Sequence, residues 1–317
     1  MEENQTITSI QGPVVLTLGM FDGVHLGHRA LLARARTLAA RWQCTPVAYS
    51  FIEHPQQVFG KAIECLTLPD ERAEIIESLG VTPYFVPFDK ERARLSPQDF
   101  VAALCQRFDV RGVVVGYNYH FGSRASGNTA DMRALGKQHG FAVEVVHPVA
   151  WQGEAVSSSR IRLALREGRL PHANVMLTQP YFFRGVIQRG RQIGTQMGFP
   201  TLNLLPEGKA IPQHGVYAGW VHPGHALSNQ EEAWPAVVSV GKNPTVTNDQ
   251  RVIVESHILL PTGTLYGQEI VVRLQRFQRG VARFGSLDAL QEQIARDCAD
   301  AAIYLGAQSP GWRQGRL

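Results

Sequence analysis

The first half of the chain alternates between short apolar runs and longer amphipathic segments. Residues 14–18 and 112–116 are continuous apolar runs, which predict strands buried on both faces of a parallel sheet. Segments 29–42, 70–79 and 129–139 carry apolar residues at helical spacing and predict helices. Strands that alternate with helices in this way predict a parallel sheet with helices on both faces.

Three further apolar runs complete the predicted sheet. They lie at 45–51, 81–88 and 141–146, and the prolines in 81–88 place that strand near an edge. A helix is predicted after Ser96, which is followed by a proline and an acidic first turn, and another opens near 156 and ends at 168.

Beyond 170–180 the pattern changes to short strands separated by turns. We predict these strands at 181–188, 215–221, 236–240, 251–260 and 269–277. Short strands at such spacing predict an antiparallel barrel. A last helix is predicted over 286–306, capped by Ser286. Its apolar face consists of Leu287, Leu290, Ile294, Cys298 and Ala301.

Composition excludes several classes of protein. The 317 residues are 44% hydrophobic, with no apolar run of the roughly 20 residues that a membrane span needs, and the acidic start does not predict a signal peptide. The four scattered cysteines predict neither disulfides nor a zinc site, so we expect a cytoplasmic protein. A net charge of +4 raises a nucleic-acid partner, but the basic residues form no tract and suit small polyphosphates equally.

A glycine-rich turn follows the first predicted strand and precedes the first helix. Backbone N–H groups and the positive end of a helix dipole can bind a phosphate there, and two histidines can donate hydrogen bonds to it. The alternative is a tight turn with two surface histidines. The candidate residues of this turn are Gly19, Phe21, Asp22, Gly23, His25, Gly27 and His28.

Three more polar stretches follow predicted strands, at 51–55, 116–122 and 156–162. Ligands of parallel sheets bind at the carboxyl ends of strands, so we expect these stretches to form one site with the glycine-rich turn. Serine hydroxyls and an arginine at a helix start would hold phosphates. Those candidates are Ser157, Ser158, Ser159 and Arg160. Singly, each stretch can equally be a turn, a packing contact or a helix cap.

The second half carries its own polar cluster at 190–203. Gly190, Gly194 and Gly198 would let backbone N–H groups approach phosphates, and the oxygens of Thr201 and Asn203 would bind Mg²⁺. The alternative for the glycines alone is a flexible surface loop.

Glu255 lies within an alternating strand pattern, on one face with Ile253, His257 and Leu259. A carboxylate on a largely apolar face is either half of an internal ion pair or a functional base. The residues alone favour the ion pair.

The string at 21–28 resembles the signature of the nucleotidyltransferase superfamily, in the form found in bacterial bifunctional riboflavin kinase/FAD synthetases. The three later stretches resemble further motifs of the FMN adenylyltransferase half, in the same order. Small departures occur at Glu53, Tyr119 and Ser159, where the family has Pro, Phe and Thr. The resemblance implies that Asn118 and Phe121 contact the flavin.

The stretch at 198–203 is similar to the riboflavin kinase signature of the same family. The resemblance implies that Glu255 is the catalytic base and that Tyr217 contacts the flavin. This chain departs from the family pattern at three positions: Thr178 stands where the linker has Gly, Leu260 where the family has Asp, and Val281 where it has Glu.

Taken together, the resemblance implies a Rossmann-like nucleotidyltransferase domain at 1–170, a linker at 171–180, and an antiparallel riboflavin-kinase β-barrel with a C-terminal helix at 181–317. The barrel would use MgATP to convert riboflavin to FMN. The first domain would join FMN to a second ATP, giving FAD and pyrophosphate. His28, Arg160 and Glu255 would be the catalytic residues, and Mg²⁺ the metal ion.

Three alternatives remain open at this point. A paralogue could retain one activity, the adenylyltransferase more readily than the kinase because the departures fall in the kinase half. A non-enzymatic flavin or nucleotide sensor could use the same scaffold, although intact metal and base residues oppose it. A nucleic-acid-binding module is suggested by charge alone. We expect small-molecule ligands, no nucleic acid and no membrane, and the sequence leaves self-association undecided.

Overall fold

The computed structural model describes residues 10–189, 194, 197–225, 227, 232–242, 251–260 and 265–308. Two compact units divide the chain, Met1–Ser158 and Ser159–Leu317. The predicted domain boundaries at 170 and 180 lie beyond this division and stay a prediction.

The first unit is built on a five-stranded parallel sheet. Its strands are β1 Pro13–Leu18, β2 Thr45–Phe51, β3 Thr82–Val86, β4 Asp109–Gly116 and β5 Ala142–Val146. Their order is β3-β2-β1-β4-β5, with every neighbouring pair parallel. This confirms the predicted Rossmann-like sheet and puts the proline-bearing strand β3 at an edge, where a missing N–H is tolerated.

Helices connect these strands. They are α1 Leu26–Trp42, α2 Pro55–Val58, α3 Pro69–Ser78, α4 Pro97–Arg107 and α5 Thr129–His139. Ser96 caps α4, which starts after it as predicted, and Gly140 ends α5 in a left-handed conformation. The sequence did not predict the short helix α2, or the hairpin of β6 Ala150–Trp151 and β7 Glu154–Ala155.

Alternation along β1 explains why both sheet faces are covered. Val14, Leu16 and Leu18 belong to one apolar cluster with α4 and α5 residues. Val15 and Thr17 are equally buried but point to the opposite face, the one on which α1 contacts β1, β2 and β4. A strand buried on both faces needs a continuous apolar run, which is the pattern seen.

The second unit is a nearly closed antiparallel barrel. Along the chain, two helices precede its strands and one follows them. The helix α6 Ser158–Arg166 starts at the last residue of the first unit, and α7 Leu170–Leu177 follows it. The strands are β8 Phe182–Val186, β9 Leu202–Leu204, β10 Gly215–Pro223, β11 Trp234–Lys242, β12 Val252–Ile258 and β13 Glu269–Gly280. Their order is β8-β13-β10-β11-β12-β9, and a bridge between Gln188 and Asn203 joins the two ends of this sheet.

The last helix, α8 Leu287–Gln308, packs on the barrel. Ala301 and Leu305 are fully buried against β10 and β11, and the Asp297 carboxylate pairs with Arg279 of β13 at 2.6 Å. The hydroxyl of Ser286 accepts the N–H of Ala289, as predicted for a cap. One residue of the predicted apolar face is wrong: Leu287 is exposed, because the helix meets the barrel only farther along.

None of the described helices is long and apolar enough to cross a membrane. The four cysteines, all among the described residues, are free thiols.

Candidate active sites

The glycine-rich turn lies between β1 and α1, at the carboxyl edge of the sheet. Phe21 and Val24 have φ angles of 52° and 38°, and Gly23 has 81°. Positive φ is sterically costly for non-glycine residues, above all for a β-branched valine, so other contacts must hold this turn in place.

Buried side chains supply those contacts. The Asp22 carboxylate accepts the backbone N–H groups of Leu66 and Thr67 at 2.8 and 3.1 Å. The Thr67 hydroxyl in turn accepts the N–H of Gly23 at 2.9 Å. Asp22 and the Phe21 ring are both buried, so they shape the turn from within.

The two histidines lie against each other at the start of α1. Their rings stack with centroids 3.7 Å apart, and the ring of Phe21 meets His28 edge-on at 5.3 Å. His25 is the N-cap: its Nδ1 accepts the N–H groups of Gly27 and His28 at 3.2 and 3.4 Å. The helix therefore starts before the predicted residue 29, and the proton of a neutral His25 must be on Nε2, which can donate to a ligand.

Both imidazoles are neutral at neutral pH. Burial lowers the pKa of His25 to about 4, partly offset by its backbone hydrogen bond. Burial also holds the pKa of His28 well below its usual value, and the nearby charges of His25 and Arg72 lower it further. The Nδ1 of His28 is buried without a hydrogen-bond partner in the described chain. The pair can thus act as hydrogen-bond donors rather than as fixed cations.

One residue of the serine-rich stretch, Ser158, contacts the same turn. The Ser158 hydroxyl, at the start of α6, donates to the Asp22 carbonyl at 2.9 Å, and Ser157 is the exposed residue before it. Ser159 and Arg160 follow in the first turn of α6 and belong to the second unit.

The two remaining predicted stretches of this unit lie in loops after β2 and β4. Glu53, the departure that the sequence left unexplained, accepts the N–H of Phe88 at 3.0 Å and so closes the loop after β3. Asn118 is exposed, whereas Phe121 is buried in the core and stacks on Tyr119. Their contact with flavin stays a prediction.

In the barrel, strand register brings the predicted base and metal ligand together. Asn203 of β9 is directly opposite Glu255 of β12. Asn203 is buried, Glu255 is half-buried, and burial raises the pKa of the Glu255 carboxyl. Thr201 lies two residues before Asn203, so all three side chains belong to one region of the barrel.

The chain before β9 is anchored to the same strand. His257 Nδ1 hydrogen-bonds the Pro200 carbonyl at 2.8 Å, and its ring meets that of Phe199 at 5.4 Å. Phe199 N–H donates to the Gly194 carbonyl at 2.7 Å, and a Cβ on Gly194 would lie 2.4 Å from the Phe199 carbonyl oxygen. Only glycine fits there. Gly198 has a φ of 86°, and Gly190 lies outside the described residues.

The other barrel predictions lie in different surroundings. Tyr217 is fully buried, its hydroxyl donates to the Gln213 carbonyl, and its ring packs edge-on against Phe277. Val281 is exposed just after β13, and Leu260 follows β12 next to residues outside the described chain. Whether Tyr217 contacts flavin stays a prediction.

Comparison with known proteins covers both units. One family model, described as FAD synthetase, matches residues 7–160, and a second, described as riboflavin kinase, matches residues 177–305. Curated relatives named bifunctional riboflavin kinase/FMN adenylyltransferase match along nearly the whole chain. The Listeria monocytogenes protein is 32% identical, covering 92% of this chain and 92% of its own length. The Escherichia coli protein is 33% identical, covering 93% and 94%.

The chain belongs to the bifunctional riboflavin kinase/FMN adenylyltransferase family. Its members are enzymes that use ATP and flavins, and the predicted bifunctional activity is confirmed at this level. Two matched enzyme domains in one chain favour the bifunctional enzyme over the single-activity and sensor alternatives.

A solved structure supports the fold of this family member. It is the crystal structure of a protein named macrolide-efflux protein from Streptococcus pneumoniae, with a TM-score of 0.81 and 29% identity. The match covers 91% of this chain and 93% of that chain. The efflux in that name is said of that protein, and we take from the likeness only the fold.

Near the two candidate sites of this family member, the sequence analysis missed strand β9 and the role of Arg72. Strand β9 was not predicted, because it is only three residues long and shows too little alternation of apolar and polar residues to indicate a strand. Arg72 was missed as well, although a signal was present. It lies one helical turn from Ile75 and Ile76, on the apolar face of α3, where an arginine needs a buried partner.

Proposed function

We propose that FMN adenylylation takes place at the glycine-rich turn of the first unit and riboflavin phosphorylation at the β9–β12 region of the barrel. The pairing of Asn203 with Glu255 is the observation that most supports the proposal. It places a carboxyl group with a raised pKa directly opposite an amide whose oxygen can bind a metal ion. The family match over both units agrees with such a division of labour.

For adenylylation, a phosphate oxygen of FMN attacks the α-phosphorus of ATP, and the bond to pyrophosphate breaks. The FMN phosphate is already anionic, so no general base is required. His25 and His28 donate hydrogen bonds to phosphate oxygens as charge builds, together with Arg160 and the hydroxyls of Ser157–Ser159.

For phosphorylation, the 5′-hydroxyl of the ribityl chain attacks the γ-phosphorus of ATP, and ADP leaves. Glu255 accepts the hydroxyl proton, and burial makes its carboxylate a stronger base than an exposed one. The backbone around Gly194 and Gly198 would bind the ATP phosphates.

Mg²⁺ fits the barrel site as a partner of ATP. Among the described residues, no group of three or more His, Cys, Asp or Glu side chains could hold a metal ion. Thr201 and Asn203 supply uncharged oxygens, which suit an ion that keeps several waters and is held mainly by substrate phosphates. When bound, Mg²⁺ would neutralise phosphate charge during transfer.

Several finer expectations accompany this proposal. We propose that the first domain extends to residue 170, with 171–180 as linker and 181–317 as the kinase domain, and that Asn118, Phe121 and Tyr217 contact or shape the flavin sites. The small-molecule ligands are ATP, riboflavin and FMN. The absence of nucleic-acid and membrane partners and the cytoplasmic location stay predictions.

Chromatography of flavins tests the proposal. The protein is incubated with ATP and Mg²⁺ in two tubes, one started from riboflavin and one from FMN. We expect FAD in both tubes and transient FMN in the first. FAD only from FMN would show a decayed kinase, and bound flavin without conversion in either tube would overturn the enzyme assignment.

A further inference from the structure

A buried arginine lies beneath the glycine-rich turn. Arg72 of α3 is 2% exposed, yet its guanidinium donates to three backbone carbonyls. One amino group binds the Met20 carbonyl at 2.9 Å, and the other binds those of Phe51 and Ile52 at 2.6 and 3.3 Å. Met20 is in the turn after β1 and Phe51 is the last residue of β2, so one side chain connects the carboxyl ends of both strands.

The same guanidinium also contacts the edge strand. It lies over the ring of Phe85 in β3, 4.7 Å from the ring centroid. The planar guanidinium group can make the hydrogen bonds and the ring contact together, because its N–H donors diverge in one plane while its face remains available for stacking. A lysine would carry the charge but could not reach three carbonyls and a ring together.

The charge of Asp22 opposes that of this cation. Asp22 attracts it, but the Asp22 carboxylate is also committed to two backbone N–H groups. Burial lowers the pKa of Arg72, although an arginine stays charged in proteins. A cation in a water-poor site acts over a longer range than one at the surface, so it adds positive potential at the carboxyl edge where polyphosphate is expected.

We propose that Arg72 is a positioning residue for FMN adenylylation: it fixes the strained turn against β2 and places a buried positive charge behind the phosphate site. Its burial keeps it from touching substrate. The turn needs such a restraint because Phe21 and Val24 hold positive φ angles. The inference rests on the proposed adenylylation at this turn.

The bifunctional chain supplies its own control for the test. Arg72→Met removes the charge and the donors at similar length, and Arg72→Lys restores only the charge. Arg107→Met is the control: Arg107 is an exposed arginine of α4 that lies over aromatic rings, as Arg72 does, but it donates to the Tyr84 hydroxyl instead of to the turn. For each variant, kcat and KM are measured for FMN adenylylation and for riboflavin phosphorylation.

We expect Arg72→Met to lower kcat for adenylylation by about 100-fold, since small misplacements of catalytic groups cost that much. It should also raise the KM for MgATP by about tenfold because an attractive charge is lost. Arg72→Lys should restore the KM while kcat stays low. Riboflavin phosphorylation should stay within about twofold throughout, and Arg107→Met should leave both activities unchanged.

Nuclear magnetic resonance of the histidine rings gives a second readout. The charged and titratable groups that bear on His28 are His25 at the helix cap and Arg72. Removing the positive charge should therefore raise the pKa of His28 in Arg72→Met and leave it low in Arg72→Lys. A purely structural role for Arg72 would not separate the two variants in this way.

Wild-type adenylylation kinetics in folded Arg72→Met, or an equal loss of both activities, would overturn the proposal. If Arg72→Met does not fold, Arg72→Lys decides: a lowered kcat with unchanged kinase supports positioning, and wild-type kinetics contradict it. A parallel His28→Ala variant shows which proposal has failed. If FAD formation survives without His28, the proposed adenylylation site is wrong. If FAD formation is lost without His28 but not in Arg72→Met, only the positioning role of Arg72 is wrong.

Discussion

The two candidate sites are built in different ways. In the first unit the histidines, the glycines and Asp22 lie within one turn of ten residues, 19–28, and buried side chains hold that turn in strained geometry. In the barrel, Asn203 and Glu255 meet only because β9 pairs with β12 in one register. The first site is a local sequence motif that buried side chains hold in place, and the second is assembled by strand pairing.

This difference decides how each site can fail. A local motif loses activity when one of its groups or its supports is removed, while its neighbours along the chain keep their places. A site made by register depends on the ladder, and a slip of one residue would turn Glu255 to the other face of its strand. Single substitutions in the two sites should therefore separate the two activities cleanly.

The largest expected effect is in the barrel. Glu255→Gln removes the proton acceptor at nearly constant shape, so riboflavin phosphorylation should fall by about 10³-fold while adenylylation of supplied FMN is retained. The control is Glu269→Gln, which alters a carboxylate of β13 that pairs with His225. Phosphorylation by Glu255→Gln at near wild-type rate would show that Glu255 is not the catalytic base.

In the first unit, His28→Ala should lower FAD formation by about 10²- to 10³-fold, because it removes a donor to the developing charge. FMN should still accumulate from riboflavin. His139→Ala, at the exposed end of α5, should change neither reaction. Loss of both activities in folded His28→Ala protein would refute the separation of the sites.

The metal assignment predicts a smaller effect. Asn203→Ala should raise the KM for MgATP in phosphorylation by about tenfold, since one oxygen ligand is lost but phosphates and waters remain. Asn203→Asp keeps an oxygen at the same place and should recover most of the affinity. If Mg²⁺ titrations of Asn203→Ala match those of the wild type, Asn203 is not a ligand.

Acid should weaken the first unit more than the barrel. A histidine with a pKa of about 4 when folded and 6.5 when unfolded contributes stability that is present above pH 6.5 and is lost as the pH falls toward 4. For His25 the loss at pH 5 is about 2 kcal/mol. His25 and His28 act in the first unit, and His222, with a pKa also near 4, acts in the barrel. Peptide-resolved hydrogen exchange at pH 7 and 5 should show the larger drop in the first unit; an equal drop would contradict the pKa assignment of His28.

The smallest effect concerns Tyr217. Tyr217→Phe removes only the hydrogen bond to the Gln213 carbonyl, so the barrel should lose about 1 kcal/mol of unfolding free energy. A change of more than about threefold in the KM for riboflavin would show that the hydroxyl contacts flavin directly.

The same contrast explains what the sequence could predict. The five parallel strands were predicted because continuous apolar runs and helix caps are local signals, and the glycine-rich turn was recognisable for the same reason. The proximity of Asn203 and Glu255 could not be predicted, because register depends on the whole barrel. Nor could the neutral state of the histidines, since it follows from burial and from the charge of Arg72.

Glu53 is a residue whose structural role could not be predicted from the sequence. The sequence shows only that Glu53 departs from the family pattern, whereas in the structure its carboxylate accepts the N–H of Phe88. A single residue can thus satisfy a backbone group in a loop without any signal along the sequence.

A mixing experiment tests most directly whether two separate sites exist. Glu255→Gln and His28→Ala proteins are each incubated with riboflavin, ATP and Mg²⁺, alone and together, and the flavins are separated by chromatography. We expect almost no FAD from either variant alone and FAD from the mixture, because FMN made by His28→Ala is adenylylated by Glu255→Gln. A mixture no better than its components, with both variants folded, would contradict two independent sites in one chain.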